Sequence, residues 1–244
     1  MAINVNTVYQ TVLMILNKEQ RGYMTPTEFN TVSTQVQLEI FEKYFDDLNQ
    51  QLRVPQADTD YADRQENLDE KLAIFKTFGD AIYTTVGALS YFVLPTDDGY
   101  NQTVDFYRLG NVLYNNEKVV QRLDRHEFYY ANQSRLTKPS TINPAYLYEN
   151  QKLFVKPTSI IDKIKVDYVR KPKDVIWDFT VGNLGQYKFN SQATSSTQNF
   201  ELHESEQTEI ILKILLYSGI IIRDPQIVQA AAAQVQADEV NKKS

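Results

Sequence analysis

Between Ile210 and Leu216 every residue except Lys213 is isoleucine or leucine, so a helix built from this stretch has no polar face. A helix apolar nearly all round cannot lie on a surface and must be enclosed by other elements. Glu204, Glu206 and Glu209 stand in its opening turns, where the positive end of the helix dipole favours carboxylates, and Gly219 supplies a C-terminal stop. The rest of the chain has to provide helical walls for it.

Two N-terminal segments have the period to do so. Asn6 is placed to cap a first helix carrying Val8, Val12, Ile15 and Leu16 on one side, with Arg21 and Gly22 as its end. Thr25-Pro26-Thr27-Glu28 predicts a stronger start: Thr25 as N-cap, Pro26 at the first helical position, and Glu28 reaching back to the cap. Phe29, Val32, Val36, Ile40, Tyr44, Leu48 and Leu52 then form one stripe, widened by Phe41 and Phe45. Burying each such side chain contributes about 1.5–3 kcal/mol, and a stripe this wide needs neighbours on both sides. The polar run 53–67, with Pro55, reads as a connection or exposed helical excursion before Leu68, Leu72 and Phe75 restart the period. Beyond the oily stretch, Asp224-Pro225 caps a last, weakly apolar helix through alanines 230–233, which can dock on a neighbouring subunit or on its own.

The middle of the chain has a different period. A strand is expected over 88–94, followed by a turn at Asp97-Asp98-Gly99. The tyrosine-rich block 105–177 then reads as short alternating strands around one aromatic helix near 125–134. Asn115-Asn116 and Asn150-Gln151 each separate two apolar-aromatic runs, as two-residue hairpin turns do. Ile164, Val166 and Tyr168 alternate with Lys163, Lys165 and Asp167, the pattern of a half-buried antiparallel strand. Trp177, Tyr187, Phe189 and Phe200 suggest two more strands flanking the polar run 190–199 (NSQATSSTQN), read as a flexible tip.

These periods predict an α+β chain: N- and C-terminal helices forming a helical bundle, with an inserted antiparallel β-rich module. The expected parts are an N-terminal helical part at 1–87, a β module at 88–202, and C-terminal helices at 203–244 that pack on the N-terminal ones. With 16 Tyr and 12 Phe against 8 Gly and 8 Pro, the composition is that of an ordered protein. The chain has no cysteine, which excludes disulfides, thiolate nucleophiles and zinc-cysteine sites. The apolar run 12–16 is far short of the roughly 20 residues that cross a bilayer, so a non-membrane, non-secreted protein made in the cytosol is expected.

A net charge of −6 disfavours a general nucleic-acid binder, whose affinity rests on cations displacing counterions from phosphates. The charge is uneven. Residues 1–80 hold 13 Asp and Glu against 7 Lys and Arg, whereas residues 138–173 hold 8 Lys and Arg against Glu149, Asp162 and Asp167. Such asymmetry suits either an acidic face stacking on a basic one in a repeated assembly or plain solvated charge.

No catalytic, cofactor-binding or metal-binding residues are expected. The segment 58–69 has the outline of a calcium loop, but Asp63 stands where the sharp glycine turn belongs and Asp69 where a bidentate Glu belongs. His126 and His203 are the only groups suited to acid-base work near neutral pH, and neither sits in a motif. No phosphate-cradling glycine loop, nucleophile elbow or two-His metal spacing is present.

Several strings carry a resemblance: NKEQRGY (17–23), EIFEKYFDDLNQ (39–50), the strand ends Lys156-Pro157 and Lys171-Pro172, and ESEQTEIILKILLYSGIIIRD (204–224). With the hairpin, aromatic helix, hairpin and strand order of 105–177, the chain resembles bacteriophage head-to-tail connector proteins, most of all the connector ring proteins of crAss-like short-tailed phages. The resemblance implies a structural virion protein that is no enzyme: a homododecameric adaptor ring contacting the portal and further tail rings. Double-stranded DNA would pass through its lumen without sequence-specific binding, and the ring would sit in the neck or tail of a virion assembled in the host cytoplasm.

On this reading Lys152, Lys156, Lys163 and Lys165 are expected to face a neighbouring subunit, and Ile227, Val228 and Val235 of the last helix to supply an apolar contact. The alternative from another class is a phage DNA-binding or packaging accessory factor using the basic β region. A third is a carbohydrate-binding tail module using Tyr146, Tyr148, Tyr168 and Trp177.

Overall fold

Helices and antiparallel sheets share the chain, as the two periods in its sequence require. The computed structural model describes residues 2–18, 23–53, 60–87, 89–96, 105–192, 195–222, 229, 232–234 and 236–237. It divides into two units, Met1–Ile74 with Pro172–Ser244, and Phe75–Lys171. The β-rich unit thus begins and ends earlier than the 88–202 expected from sequence. Strand pairing draws residues 76–86 into it, and side chains of the long second helix hold residues 173–177 in the other unit.

The Phe75–Lys171 unit contains β1 (Lys76–Asp80), β2 (Ile82–Val86), β3 (Leu89–Val93), β4 (Phe106–Tyr114), β5 (Lys118–Val119), β6 (Gln121–Arg122), β7 (Ala145–Glu149), β8 (Lys152–Lys156) and β9 (Ile164–Arg170). One sheet has the order β1-β9-β4-β5, the other β2-β3-β8-β7-β6. Only Ala81 separates β1 from β2, and only Val120 separates β5 from β6. Each pair is therefore one bent strand passing from sheet to sheet, and the Ala81 N–H donates to the Ile164 carbonyl at 2.9 Å as it turns the corner. With both margins joined by these bent strands, the two sheets close round as a barrel-like pair, in which β1, β2, β5 and β6 each have one strand neighbour among the described residues. Phe92, Tyr146, Leu153 and Val155 from one sheet meet Val112, Ile164, Val166 and Tyr168 from the other in a single core.

The expected turns are present. Asn150 and Gln151, at φ of 50° and 56°, form the expected two-residue turn with the positive pair of a type I′ hairpin; Asn115 and Asn116, at 55° and 61°, share that backbone but open a three-residue turn completed by Glu117. Residues of β9 alternate buried and half-buried as the sequence predicts. The expected aromatic helix is α4 (Arg125–Gln133); it links the parallel neighbours β6 and β7 and seats Phe128.

In the other unit, α1 (Val5–Lys18), α2 (Pro26–Arg53), α3 (Asp60–Ala73) and α5 (Gln207–Ile222) are joined by a hairpin of β10 (Phe179–Val181) and β11 (Tyr187–Phe189). Helix α5 packs on α1 and α2, and α2 on α3. At the start of α2, the Thr25 N–H donates to Glu28 Oε2 at 2.9 Å and the Glu28 N–H to Thr25 Oγ1 at 3.4 Å, a capping box as expected. The predicted stripe on α2 is buried from Phe29 to Phe45; the side chains of Leu48 and Leu52 lie outside the described residues.

Three local expectations are corrected. Asn4, not Asn6, caps α1, its Oδ1 accepting the Asn6 and Thr7 N–H groups at 2.8 and 3.2 Å. Asn6 Oδ1 instead accepts the Trp177 indole N–H at 3.0 Å, and α1 buries Tyr9 while Ile15 turns outward. Gly219 does not end α5, which runs on to Ile222. The polar run 190–199 is tethered rather than free. Asp178 Oδ2 accepts Asn190 Nδ2 at 2.8 Å, Ser195 Oγ at 3.0 Å and the Ser196 N–H at 3.1 Å, within the described part of that run.

The expected turn at 97–99 and the helix stop at Arg21-Gly22 lie outside the described residues, as do Asp58 and Thr59 of the calcium-like segment, whose remainder from Asp60 is helical. No helix among the described residues is long and apolar enough to cross a membrane.

Candidate functional site

The four lysines expected at an interface divide between the two sheets of the barrel. Lys152 and Lys156 stand on β8, Lys165 on β9, and Lys163 precedes β9 at a φ of 60°. Lys152 Nζ lies 4.3 Å from the centroid of the Tyr91 ring and Lys165 Nζ 5.7 Å from that of Phe78, so both ammonium groups rest on aromatic faces of their own chain. Lys163 is exposed and Lys156 half-buried. Ile227, Val228 and Val235 lie outside the described residues, although 229, 232–234 and 236–237 are helical as expected.

Tyr146, Tyr168 and Trp177 are buried and Tyr148 is half-buried, which removes the sugar-stacking platform these rings would have made. His126 is exposed on α4 in one unit. His203 caps a 3-10 turn (Glu204–Glu206) in the other, its Nδ1 accepting the Ser205 N–H at 3.3 Å. Among the described residues, no group of three or more His, Asp or Glu side chains is placed to hold a metal ion.

The structure instead brings charge together around α5, where the sequence suggested only dipole effects. Glu206 and Glu209 are buried; Lys71 Nζ meets Glu206 at 2.5 Å and Lys43 Nζ meets Glu209 at 3.2 Å. Lys213, the one break in the oily stretch, reaches Glu39 at 3.7 Å, and the Tyr217 hydroxyl donates to Glu39. That hydrogen bond, with some burial, pushes the Tyr217 hydroxyl up to about 12. Burial, and then the charges of Glu206 and Glu209, push the Tyr44 hydroxyl up as well. Carboxylates this deep persist because cations meet them, and those cations come from α2 and α3.

Spending Lys43 and Lys71 inward has an outward consequence. Glu42 and Asp46 of α2, and Glu66 and Glu70 of α3, are exposed. Among the described side chains of these helices the exposed charges are therefore all acidic, for a reason invisible in a charge count.

A comparison with protein-family models and with curated proteins finds no match to this chain.

Apolar side chains complete the surface. Leu136 is 98% exposed, Leu184 90% and Tyr130 70%, and Ile82, Val86, Leu89, Ile142 and Val181 are also exposed. Tyr130 stands on α4, Leu136 and Ile142 in the loop after it, Val86, Leu89, Val181 and Leu184 at or beside hairpin tips, and Ile82 at the corner between β1 and β2. Ser134 Oγ accepts the Leu136 and Thr137 N–H groups at 3.3 and 3.4 Å, and the Gly182 N–H donates across the β10–β11 tip to the Gln186 carbonyl at 2.8 Å. Beneath that tip Trp177 stacks on Phe179 at 5.9 Å and Tyr187 on Tyr23 at 6.5 Å. Rigid backbone that presents apolar tips to water suits recognition of another macromolecule. The sequence showed these residues but not their exposure, because a half-buried strand position and an exposed one share the same alternation.

Proposed function

We propose that the chain is a structural virion protein, a subunit of the connector (adaptor) ring that joins the portal vertex of a crAss-like short-tailed phage to its tail and encloses the DNA channel. The observation that carries this reading is the set of exposed apolar side chains at hairpin tips, on α4 and in the loop after it, with Leu136, Leu184 and Tyr130 the most exposed. Ordering such surface in water brings a lone molecule no burial; contact with another copy or a neighbouring ring does. The resemblance in 17–23, 39–50 and 204–224 supports the same conclusion. In this reading α1, α2, α3 and α5 are the N- and C-terminal helical bundle and the barrel is the inserted module. Twelve copies surround the DNA, and the ring contacts the portal and the next tail ring.

Lys152 and Lys165 lie over Tyr91 and Phe78, which supports a structural use of the basic strands over a DNA-binding one. The test is the native mass of the purified protein, alone and with portal. Rings of twelve in either sample are expected. A protein that stays monomeric and leaves the portal unbound, or that shifts DNA in a salt-dependent manner as a monomer, overturns the proposal.

A further inference from the structure

We infer that copies of this chain join head to tail, the basic aromatic surface of α4 and its following loop on one copy seating on the acidic surface of α2 and α3 on the next. The inference rests on the reading of the chain as an assembling subunit, and names the surfaces that assembly uses.

Helix α4 is anchored by buried Phe128, which leaves Tyr129 and Tyr130 turned to solvent. The helix ends where the Ser134 N–H donates to the Tyr130 carbonyl at 3.2 Å, and the Ser134 side chain then holds the next turn with Leu136 at its tip. Further on, the Asn143 N–H donates to Ser140 Oγ and the Ser140 N–H to the Asn143 carbonyl, both at 3.2 Å. The loop is thus fixed by its own hydrogen bonds, so docking there loses little chain entropy. Arg135 and Lys138 flank Leu136 in the loop and are exposed. Arg125 instead pairs with Glu149 of its own chain at 3.5 Å, and the exposed acids Asp124 and Glu127 form the cap of α4, so the basic charge of this surface lies in the loop. Tyrosine, leucine and arginine on a rigid support are the materials of a protein interface.

The complementary surface follows from the ion pairs around α5. Lys71 Nζ lies 5.7 Å from the centroid of the Tyr44 ring while pairing with Glu206, which sets the C-terminal half of α3 beside the middle of α2. Glu42, Asp46, Glu66 and Glu70 stay exposed on these two helices. Opposite charge directs the α4 surface of one copy onto these helices of another. A two-fold contact of this surface with itself would set Arg135 and Lys138 against themselves. Because the two patches differ, each copy offers one of each, the condition for a closed ring. Exposed Leu136 and Ile142 favour a protein over a phosphate backbone as the occupant.

The test uses two full-length variants with exposed substitutions, Arg135→Glu with Lys138→Glu, and Glu42→Lys with Glu66→Lys, each checked for native folding by circular dichroism. Self-association is measured by sedimentation across a concentration series, with and without portal. Each variant alone is expected to associate at least tenfold more weakly than the parent. An equimolar mixture is expected to recover assembly, since the acidic α4 surface of one then meets the basic α2–α3 surface of the other. A benzoylphenylalanine at position 130 is expected to cross-link to the peptides of α2 or α3 in another copy. If the parent assembles and both variants assemble equally well, or the mixture recovers nothing, this inference fails and the ring reading stands. If the parent never assembles, even with portal, the ring reading itself fails. A DNA shift lost in the Arg135→Glu, Lys138→Glu variant also overturns the inference, because it makes the patch a nucleic-acid surface.

Discussion

A methyl group added to Gly110 would stand 2.8 Å from the Asp167 carbonyl oxygen, a backbone atom that cannot swing aside. Gly110 lies where β4 slips register against β9, between Leu109 and Val112, so the missing side chain is what lets the two strands stay close. Gly110→Ala is expected to destabilise the barrel by about 1–3 kcal/mol, read as a lower urea midpoint with unchanged slope. Asp178 is the other residue whose environment decides its role. The Ser196 N–H first, then the Asn190 amide, hold its carboxyl below the usual aspartate range. A carboxyl depressed by folding contributes in full above its unfolded value of about 3.9, and its contribution is lost as pH falls through the folded value. The Ser196 amide shift is therefore expected to titrate only below about pH 4, and Asp178→Asn to abolish that titration. A Ser196 shift that stays flat to pH 2 would show that the tether does not depend on the charge.

At the scale of elements, the hairpin between β7 and β8 holds Gln151 at a φ of 56°, where glutamine is strained and glycine is not. Gln151→Gly is expected to stabilise the protein by about 0.5–1 kcal/mol, the relief of left-handed strain less the added unfolded-state entropy, and to raise the melting temperature by a few degrees. Helix α2 carries a subtler device. Trp177 N–H donates to Asn30 Oδ1 at 2.8 Å, Val175 N–H to Thr34 Oγ1 at 3.1 Å, and Gln37 Nε2 to the Lys173 carbonyl at 2.7 Å. Polar side chains at successive turns of one helix thus satisfy the alternate backbone groups of an extended segment whose Ile176 bridges the Gln198 backbone. The apolar stripe of α2 was legible because 3.6-residue spacing is local. This ladder was not, because its partners lie more than a hundred residues away and nothing local marks them.

For the whole molecule, the ends of the barrel unit meet: the Arg170 N–H donates to the Phe75 carbonyl at 2.9 Å, and β1 pairs with β9 along its length. A unit whose ends touch and whose core is its own can be an insertion. The fragment 75–171 is expected to fold alone with a cooperative thermal transition, and a dispersed amide spectrum would confirm it; an unfolded fragment would mean that its core needs the helices. The amino-acid sequence by itself determined the helical and strand periods, the capping box at Thr25, the positions of the two Asn turns and the two-residue form of the one at Asn150, the burial of Ile164, Val166 and Tyr168, and the mixed α+β class, all set by residues within a few positions of one another. Only the tertiary structure decided that β1 and β2 are one bent strand, that Asn6 serves Trp177 while Asn4 caps α1, and that Lys43 and Lys71 turn inward to Glu209 and Glu206. Each of those depends on which distant backbone or charge arrives beside a given side chain, and it is that arrival which sets the charge and the exposed surfaces that a partner meets.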